Sequence, residues 1–418
     1  MASVPGGQYS FFANGQSVNV VATTDGSSMP PPLAGQFNLE LLTLGSGSAT
    51  PPPGYNGVAM MSPDGKTLTL ATGDMGVQVT GSGMHTIFAG TGNDTIYGGN
   101  GPNLIFGGSG ADQIFGGSGP DTILGGSGAE TIQGGNGGDL IIGGTGAELI
   151  FGGGGGDTVL GGSGPETIHG GNGADLLIGG TGATTIFGGD GRDTMIGGSG
   201  PTALYGGSGP ETITGGSGPT TIYGGDGKDF ITAGSGSTMV VGGQGKDTII
   251  GGSGQDTIFA GHGGDLIMGG SGADLIFGGD GRDTIFAGSG PDTIYAGSGR
   301  ALIHGGSGPD LIVGGDANDT ITGGSGPATI DGGAGHNQIT VGSGGTLIED
   351  SGVKGHDTVV GFNQAHGDAI TFEGQNASSV DHVVATASVS GGSTTITLPD
   401  GSTMTLVGIS HIDHTFFH

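Results

Sequence analysis

Residues 116–142 read GGSGPDTIL, GGSGAETIQ and GGNGGDLII in three successive blocks of nine. The same nine-residue period continues without an insertion or deletion from about His85 to about Thr346. In these blocks an acidic position, which begins at Asp94, is followed two residues later by an apolar one such as Ile123. A fixed short period predicts a solenoid, in which each unit contacts only its neighbours.

Each block predicts one tight turn and one short strand. Glycine supplies the positive-φ turn, and the middle residue of a triplet such as Thr122-Ile123-Leu124 points inward. A single block cannot enclose a core, so two blocks on opposite sides must form a coil of 18 residues. After the glycine pair, one set of alternate blocks always carries Ser or Thr (Thr91, Ser109), and the other set carries mostly Asn, Asp or Ser (Asn100, Asp190). This second period predicts an all-β, two-sheet roll with small nonrepetitive β regions at both ends.

The composition excludes several classes of protein. Seven basic residues face 37 acidic ones, which gives a formal charge of −30 and makes nucleic acid a poor partner. There is no cysteine, so disulfides and thiolate metal sites are excluded. No stretch approaches the roughly 18–20 apolar residues of a membrane span. The segment Met1–Gln8 lacks the pattern of a cleaved secretory signal, so none is expected.

Three regions are predicted along the chain. Residues 1–84 are nonrepetitive and alternate apolar and polar side chains, which favours an N-terminal β domain, a cap or an assembly region. Residues 85–350 form the repeat, and residues 351–418 form a C-terminal cap with strand-like runs such as 393–398. No window predicts an amphipathic helix, because glycine is too frequent.

The acidic positions predict calcium sites. Stacked coils would place equivalent carboxylates about 5 Å apart, where they repel each other unless cations lie between them. Carboxylate and peptide oxygens match Ca²⁺, which accepts six to eight oxygen ligands, better than they match Mg²⁺. The alternative is an acidic surface that is only solvated. The candidate metal ligands are Asp94, Asp112, Asp121, Asp139, Asp157, Asp175, Asp193, Asp229, Asp247, Asp256, Asp265, Asp274, Asp283, Asp292, Asp310 and Asp319.

The blocks resemble the glycine- and aspartate-rich repeats of the RTX, or hemolysin-type calcium-binding, proteins. Residues 278–286, GGDGRDTIF, carry the pattern, and their neighbours extend it over some 260 residues. The resemblance implies a parallel β-roll with several Ca²⁺ ions between successive turns on each side. It also implies an extracellular or cell-surface protein, exported by a type I system that reads an uncleaved C-terminal signal. Residues 357–362 and 406–409 are similar to such a signal region.

The two turn columns differ. One column, defined here as the Asp121 column, keeps an acid at nearly every step of 18 residues from Asp121 to Asp319. The other, the Asp94 column, changes to Glu and then to Thr in its middle. We therefore expect a continuous row of Ca²⁺ on the first side, and Ca²⁺ only towards the ends of the second. Glu130, Glu148 and Glu166 are expected not to reach an Asp-sized site, because Glu is longer.

No zinc-protease HExxH and no GxSxG motif is present, so no catalytic residue is assigned and the chain is expected not to be an enzyme. The outward column that includes Tyr97, Phe115 and Phe259 is apolar, which favours an interface over strand propensity alone. The leading hypothesis is a secreted structural protein that folds on Ca²⁺ and self-associates into a filament, surface layer or matrix. The alternatives are an adhesin that binds cell-surface polysaccharide through its aromatic columns, and ice binding through the threonines 184, 202, 220 and 238.

Overall fold

The structure, a computed structural model, describes residues 83–418 and six strands in the N-terminal part of the chain. Two compact units divide the chain: the N-terminal unit, Met1–Gly207, and the C-terminal unit, Ser208–His418. Met1–Gln8 and the links between the N-terminal strands lie outside the described residues. The three predicted regions, with their boundaries near residues 84 and 350, therefore stay a prediction.

The six N-terminal strands are β1 (Tyr9–Ala13), β2 (Gln16–Val20), β3 (Leu39–Thr43), β4 (Gly57–Met61), β5 (Thr67–Leu70) and β6 (Gly76–Gln78). β1 and β2 form an antiparallel pair, as do β4 and β5. The repeat then continues as β7 (His85–Phe88), β8 (Thr95–Tyr97), β9 (Asn103–Gly108), β10 (Gln113–Gly117), β11 (Thr122–Gly126), β12 (Thr131–Asn136), β13 (Leu140–Gly144), β14 (Glu148–Gly154), β15 (Thr158–Leu160), β16 (Glu166–Gly173), β17 (Leu176–Ile178), β18 (Thr184–Gly191), β19 (Thr194–Ile196) and β20 (Thr202–Ser208). β5 and β6 pair in parallel with β7 and β8, so the N-terminal strands join the sheets of the repeat.

In the N-terminal unit, consecutive strands of the repeat alternate between two parallel sheets. β11 pairs with β13, and Ile123 lies opposite Ile141. β12 pairs with β14 in the other sheet, and Ile132 lies opposite Ile150. Both pairs are 18 residues apart, which confirms the predicted two-sheet roll and its coil length.

The C-terminal unit repeats this arrangement and then ends it. Its repeat strands are β21 (Thr212–Gly216), β22 (Thr220–Gly227), β23 (Phe230–Gly234), β24 (Thr238–Gly245), β25 (Thr248–Gly252), β26 (Thr257–Gly263), β27 (Leu266–Gly270), β28 (Leu275–Gly281), β29 (Thr284–Gly288), β30 (Thr293–Gly297), β31 (Leu302–Gly306), β32 (Asp310–Val313), β33 (Thr320–Thr322), β34 (Ala328–Asp331), β35 (Gln338–Thr340) and β36 (Thr346–Asp350). They are followed by β37 (His356–Val360), β38 (Ala369–Phe372), β39 (Ser388–Ser390), β40 (Ser393–Thr397) and β41 (Thr403–Leu406). β25 pairs with β27 in parallel, with Ile249 opposite Ile267, again 18 residues apart.

The core is built from one side chain of each repeat strand. Ile123 and Ile249 are completely buried, whereas the residues on either side of them are half-buried and point outward. Burying one such side chain stabilises the fold by about 1.5–3 kcal/mol. The alternation of buried and outward residues follows from the period of two along a strand, and it fixes which oxygens and side chains meet in the turns.

The second glycine of each pair is required by backbone contact as well as by φ. Gly117 has φ of 125°, and a Cβ on it would lie 1.8 Å from the carbonyl oxygen of Gly99 in the preceding coil. Only glycine allows consecutive coils to approach this closely.

The C-terminal strands depart from the 18-residue coil. Gln338 lies opposite Thr358 and Leu347 opposite Ala369, which are separations of 20 and 22 residues. β39, β40 and β41 then form an antiparallel meander, and β41 joins β37 in parallel. The roll therefore ends in a β cap whose last strands no longer follow the repeat.

One helix was not predicted. Helix α1 (Ala377–Thr386) begins at a capping box, in which Asn376 accepts from the backbone of Ser379 and the Ser379 hydroxyl accepts from Asn376 N–H. It buries Val380 and Val383. The expectation that no window forms an amphipathic helix is wrong here, because glycine is absent from this segment and the capping box starts the helix. Short 3₁₀ turns occur at Gln364–His366 and His414–Phe416. Among the described residues, no helix is long and apolar enough to cross a membrane.

Candidate metal centres in the glycine-rich turns

The predicted aspartates occupy one equivalent position in the fold. Each lies directly before a repeat strand, except Asp310, which is the first residue of β32, and none exposes more than 5% of its surface. Charged side chains are almost never buried to this extent unless they are paired or bind a metal. The turns therefore hold two columns of buried carboxylic acids on the edges of the sheets.

One oxygen of each carboxylate closes the turn of the preceding coil. In the N-terminal unit, Oδ1 of Asp139 accepts a hydrogen bond from the backbone N–H of Asp121 at 2.7 Å, and Asp157 accepts from Asp139 at 2.8 Å. In the C-terminal unit, Asp247 accepts from the N–H of Asp229 at 2.8 Å. The short side chain of Asp thus links consecutive coils through the backbone.

The second oxygen is buried without a hydrogen-bond donor. Leaving a buried polar group without a partner costs about 1–3 kcal/mol, and more for a charged group. These buried Oδ2 atoms belong to Asp112, Asp121, Asp139, Asp157, Asp175, Asp193, Asp229, Asp247, Asp256, Asp265, Asp274, Asp292, Asp310 and Asp319. A cation bound between adjacent coils would supply each of these Oδ2 atoms with a positively charged partner.

These oxygens converge with peptide carbonyls beside the first glycine of each pair. A Cβ on Gly116 would lie 2.6 Å from Oδ2 of Asp121 and 2.6 Å from the carbonyl oxygen of Gly134, one coil further on. In the C-terminal unit, a Cβ on Gly224 would lie 2.6 Å from Oδ2 of Asp229. We call this space the cradle. It brings an anionic and a neutral oxygen together from adjacent coils.

Burial destabilises the ionised form of these acids more than hydrogen bonds from the chain stabilise it. Burial raises the pKa of Asp157 and Asp256 to about 6 and that of Asp310 to about 7, although backbone N–H donors act in the opposite direction. Burial likewise raises the pKa to about 6 for Asp139, Asp247, Asp283, Asp292 and Asp319. At neutral pH these carboxylates need a positive charge from outside the chain.

The donor set fits Ca²⁺. Within the described residues, no group of three or more His, Cys, Asp or Glu side chains is close enough to hold one ion. An ion would therefore take carboxylates from two coils and complete its shell with peptide carbonyls, such as those of Gly116 and Gly134. Oxygen ligands in flexible numbers suit Ca²⁺, whereas Mg²⁺ demands a near-ideal octahedron. The expectation of a continuous Ca²⁺ row along the Asp121 column, as well as the number of ions, stays a prediction.

The threonines of the Asp94 column form a different kind of turn. At Thr184 the cradle is filled, since its Cγ2 methyl would lie 3.3 Å from a Cβ on Gly179. Its backbone N–H donates to the carbonyl of Pro201 at 3.0 Å instead of to a carboxylate. In the C-terminal unit, Thr220 donates in the same way to Ser237. The turns at Thr184 and Thr220 close through the backbone, whereas the N–H of Thr238 still donates to Oδ1 of Asp256 at 2.8 Å. No threonine side chain contributes an anionic oxygen.

Ice binding through this threonine column is excluded by burial. Thr184 and Thr238 are each 3% exposed, and Thr202 and Thr220 are each 6% exposed. The hydroxyls of Thr202, Thr220 and Thr238 donate to carbonyls inside their own turns, as Thr202 does to Gly200 at 3.0 Å, and the Thr184 hydroxyl donates to the buried Glu166 carboxylate. The column faces the interior of the turn, so the expectation that it meets an ice lattice is wrong.

The structure extends the acidic positions beyond the predicted set. Asp368 Oδ1 accepts from the N–H of Thr346 at 2.7 Å, and Asp357 Oδ1 accepts from the side-chain amide of Asn337 at 2.9 Å. Both lie one coil after the last regular unit, displaced by the longer C-terminal loops. The signal was present in the sequence, because each Asp starts an Asp-x-Val or Asp-x-Ile triplet like those of the repeat. A strict period of nine did not include them.

A comparison with protein families agrees with the repeat. A family model of the RTX calcium-binding nonapeptide repeat matches residues 88–123, 124–159, 160–195, 205–240, 241–276, 261–294, 277–312, 295–327 and 313–348. No curated protein matches the chain. The crystal structure of extracellular lipase LipA from Serratia marcescens is similar at 19% identity and a TM-score of 0.19, covering 52% of this chain. The match spans 39% of the lipase chain, and at that level it supports no functional argument. The family model covers more than half of the chain, so this protein belongs to the RTX calcium-binding nonapeptide repeat family.

Proposed function

We propose that this chain is a secreted, noncatalytic structural protein that folds when it binds Ca²⁺ outside the cell and then associates with further copies of itself. RTX repeats are typical of extracellular proteins exported by type I systems. The observation that carries the proposal is the row of buried Oδ2 atoms without donors, because it makes the compact state depend on an external cation. Low Ca²⁺ inside the cell would keep the chain unfolded until export.

The noncatalytic part of the proposal rests on the positions of the buried acidic residues. The buried acids occupy structurally equivalent turn positions, and their Oδ2 atoms beside the glycine pairs face peptide carbonyls. Asp292 and Asp310 also line an open cavity in the C-terminal unit. A repeated site of this kind binds ions many times over and offers no single substrate pocket. An activity in the links between the N-terminal strands would lie outside the described residues.

The self-association part rests on the outward faces of the sheets. In the C-terminal unit, Phe259, Phe286 and Tyr295 are 38–41% exposed, and in the N-terminal unit Phe88 and Tyr97 are each 38% exposed. Extended apolar columns on a soluble protein usually mark an interface. A second copy of this chain fits them, since it carries columns of the same spacing.

The aromatic columns are stacked ladders, and this geometry does not favour the adhesin alternative. Phe259, Phe277 and Tyr295 lie with ring centroids 4.8 and 5.3 Å apart and planes within 12° of parallel. Phe187 and Tyr205 stack likewise at 4.8 Å in the N-terminal unit. Each inner ring has its faces covered by its neighbours and presents only its edge. A sugar ring would need an open aromatic face for stacking.

Electron microscopy and sedimentation of the purified full chain would test the proposal. We expect assemblies in millimolar Ca²⁺ and a dispersed, unfolded chain in excess chelator. A triple variant, Phe259→Thr, Phe277→Thr and Tyr295→Thr, should still fold with Ca²⁺ but assemble less. The control is Thr257→Ser with Thr293→Ser, which alters neighbouring outward positions and removes only one methyl group at each. A protein that stays monomeric with Ca²⁺ at high concentration would remove the assembly part, and glycan capture by that monomer would favour the adhesin.

A further inference from the structure

Glu130, Glu148 and Glu166 occupy the acidic position of three consecutive coils in the N-terminal unit. They are 1%, 4% and 4% exposed. Glu148 lies directly opposite Glu166 in the register of β14 and β16. The sequence suggested that these longer side chains would miss the cradle, yet the structure buries all three carboxyl groups in the turns.

The three glutamates differ in their hydrogen bonds. Oε1 of Glu130 accepts from the backbone N–H of Gly128 at 2.6 Å. Both oxygens of Glu166 are satisfied, because Oε1 accepts from the N–H of Gly162 at 3.0 Å and Oε2 accepts from the hydroxyl of Thr184 at 2.8 Å. Neither oxygen of Glu148 accepts a hydrogen bond of normal geometry within the described residues. Its polar neighbours include the backbone N–H of Gly146 and the carboxyl group of Glu130.

The unsatisfied oxygens lie together. Oε2 of Glu130 is also buried without a donor, so two adjacent coils contribute three such carboxylate oxygens. Oε2 of Glu148 would lie 3.5 Å from a Cβ on Gly143, five residues before it. Gly116 stands at the same distance in sequence before Asp121, so Glu148 reaches the cradle that Asp occupies elsewhere.

We propose that Glu148 and Glu130 together bind one divalent cation of the calcium type, and that Glu166 with Thr184 ends the row of ions on this side. The proposal rests on the proposed calcium binding and extends it to a site made by glutamates. One dication neutralises the two carboxylates, whereas a single shared proton would leave a buried negative charge. At Glu166 two donors already neutralise part of the charge, and at Thr184 the cradle holds a methyl group.

Counting bound ions by native mass spectrometry of the full chain in Ca²⁺ tests this assignment. Glu148→Gln keeps the shape of the side chain and should bind one ion fewer than the unmodified chain. Glu166→Gln is the matched control. Its amide oxygen can still accept from Gly162 and its amide N–H can donate to Thr184 Oγ1, so its ion count should not change. Asp157→Asn, in the opposite column, reports on the predicted Asp sites and should also bind fewer ions.

The outcomes separate the two proposals. If Asp157→Asn loses ions while Glu148→Gln binds as many as the unmodified chain, the glutamate site is wrong and the calcium-binding roll stands. The same conclusion follows if Glu166→Gln loses as many ions as Glu148→Gln, because the row would then not end at Glu166. If the unmodified chain binds no Ca²⁺, both proposals fail. Melting temperatures of each variant in Ca²⁺ would show that the proteins compared are folded.

Discussion

Acid should stabilise the roll without calcium and destabilise it with calcium. In the metal-free fold, burial raises the pKa of Asp157 from 3.8 to about 6. Because the folded value lies above the unfolded value, the folded chain binds more protons, and protonation favours folding. Ionised Asp157 lowers the free energy of unfolding of the metal-free protein. This destabilisation is fully present above pH 6 and disappears as the pH falls towards 3.8. With Ca²⁺ bound the sign reverses, since the ion requires ionised carboxylates and acid releases it.

The size of this pH effect on stability follows from the pKa shifts. A rise of about two pKa units corresponds to about 3 kcal/mol per carboxylate at neutral pH, and roughly half of that is regained at pH 5. Seven aspartates share a pKa of about 6, namely Asp139, Asp157, Asp247, Asp256, Asp283, Asp292 and Asp319. Even a third of the summed penalty approaches the roughly 5–15 kcal/mol by which a domain is stable. The metal-free chain should therefore be unfolded at pH 7.5.

Circular dichroism and thermal melts at pH 7.5 and pH 5.0, each in EDTA and in Ca²⁺, measure both signs. We expect the β signal in EDTA to rise on acidification, and the melting temperature in Ca²⁺ to fall. Asp157→Asn, which stays neutral and keeps an Oδ1 acceptor for Asp139 N–H, should stabilise the metal-free protein by about 1–3 kcal/mol at pH 7.5. A chain that is fully folded in EDTA at pH 7.5, or that loses β signal in EDTA on acidification, would refute the reasoning.

Three further predictions concern the fold. Ile249→Ala empties a completely buried core position and should cost about 2–5 kcal/mol in chemical denaturation with saturating Ca²⁺, whereas the half-buried neighbour Ile250→Ala should cost clearly less. Gly117→Ala should prevent the coil from closing, because its Cβ meets the carbonyl oxygen of Gly99, while Gly367→Ala, also at positive φ but with no atom within 4 Å, should lower stability only by about 1 kcal/mol. Asn376→Ala removes the cap of α1 and should cost about 0.5–2 kcal/mol, measurable as faster amide exchange in Ala377–Thr386 with the repeat unchanged.

Much of the roll could be read from the sequence because its determinants are local and repeated. The period of nine places Ile123 inward and Asp121 in the turn. After the glycine pair, blocks that always carry Ser or Thr alternate with blocks that carry mostly Asn, Asp or Ser, which shows that two blocks make one coil. The cap was harder to predict. Asp357 and Asp368 keep their places in the turns although the chain between coils lengthens, and α1 depends on a capping box that no repeat signals.

By itself, the sequence determined the coil length, the identity of the core residues and the chemical class of the ion, because each depends on which residue recurs at a fixed interval. Only the tertiary structure decided which oxygens still need a cation. A hydrogen bond from the preceding coil satisfies one oxygen of Asp157 and leaves the other buried. Bonds from Gly162 in the same turn and from Thr184 in the next coil satisfy both oxygens of Glu166, whereas both oxygens of Glu148 lack a hydrogen bond of normal geometry. The bonds to Asp157 from Asp139 and to Glu166 from Thr184 join residues in different coils, so the identity of one residue cannot reveal whether its charge is already compensated.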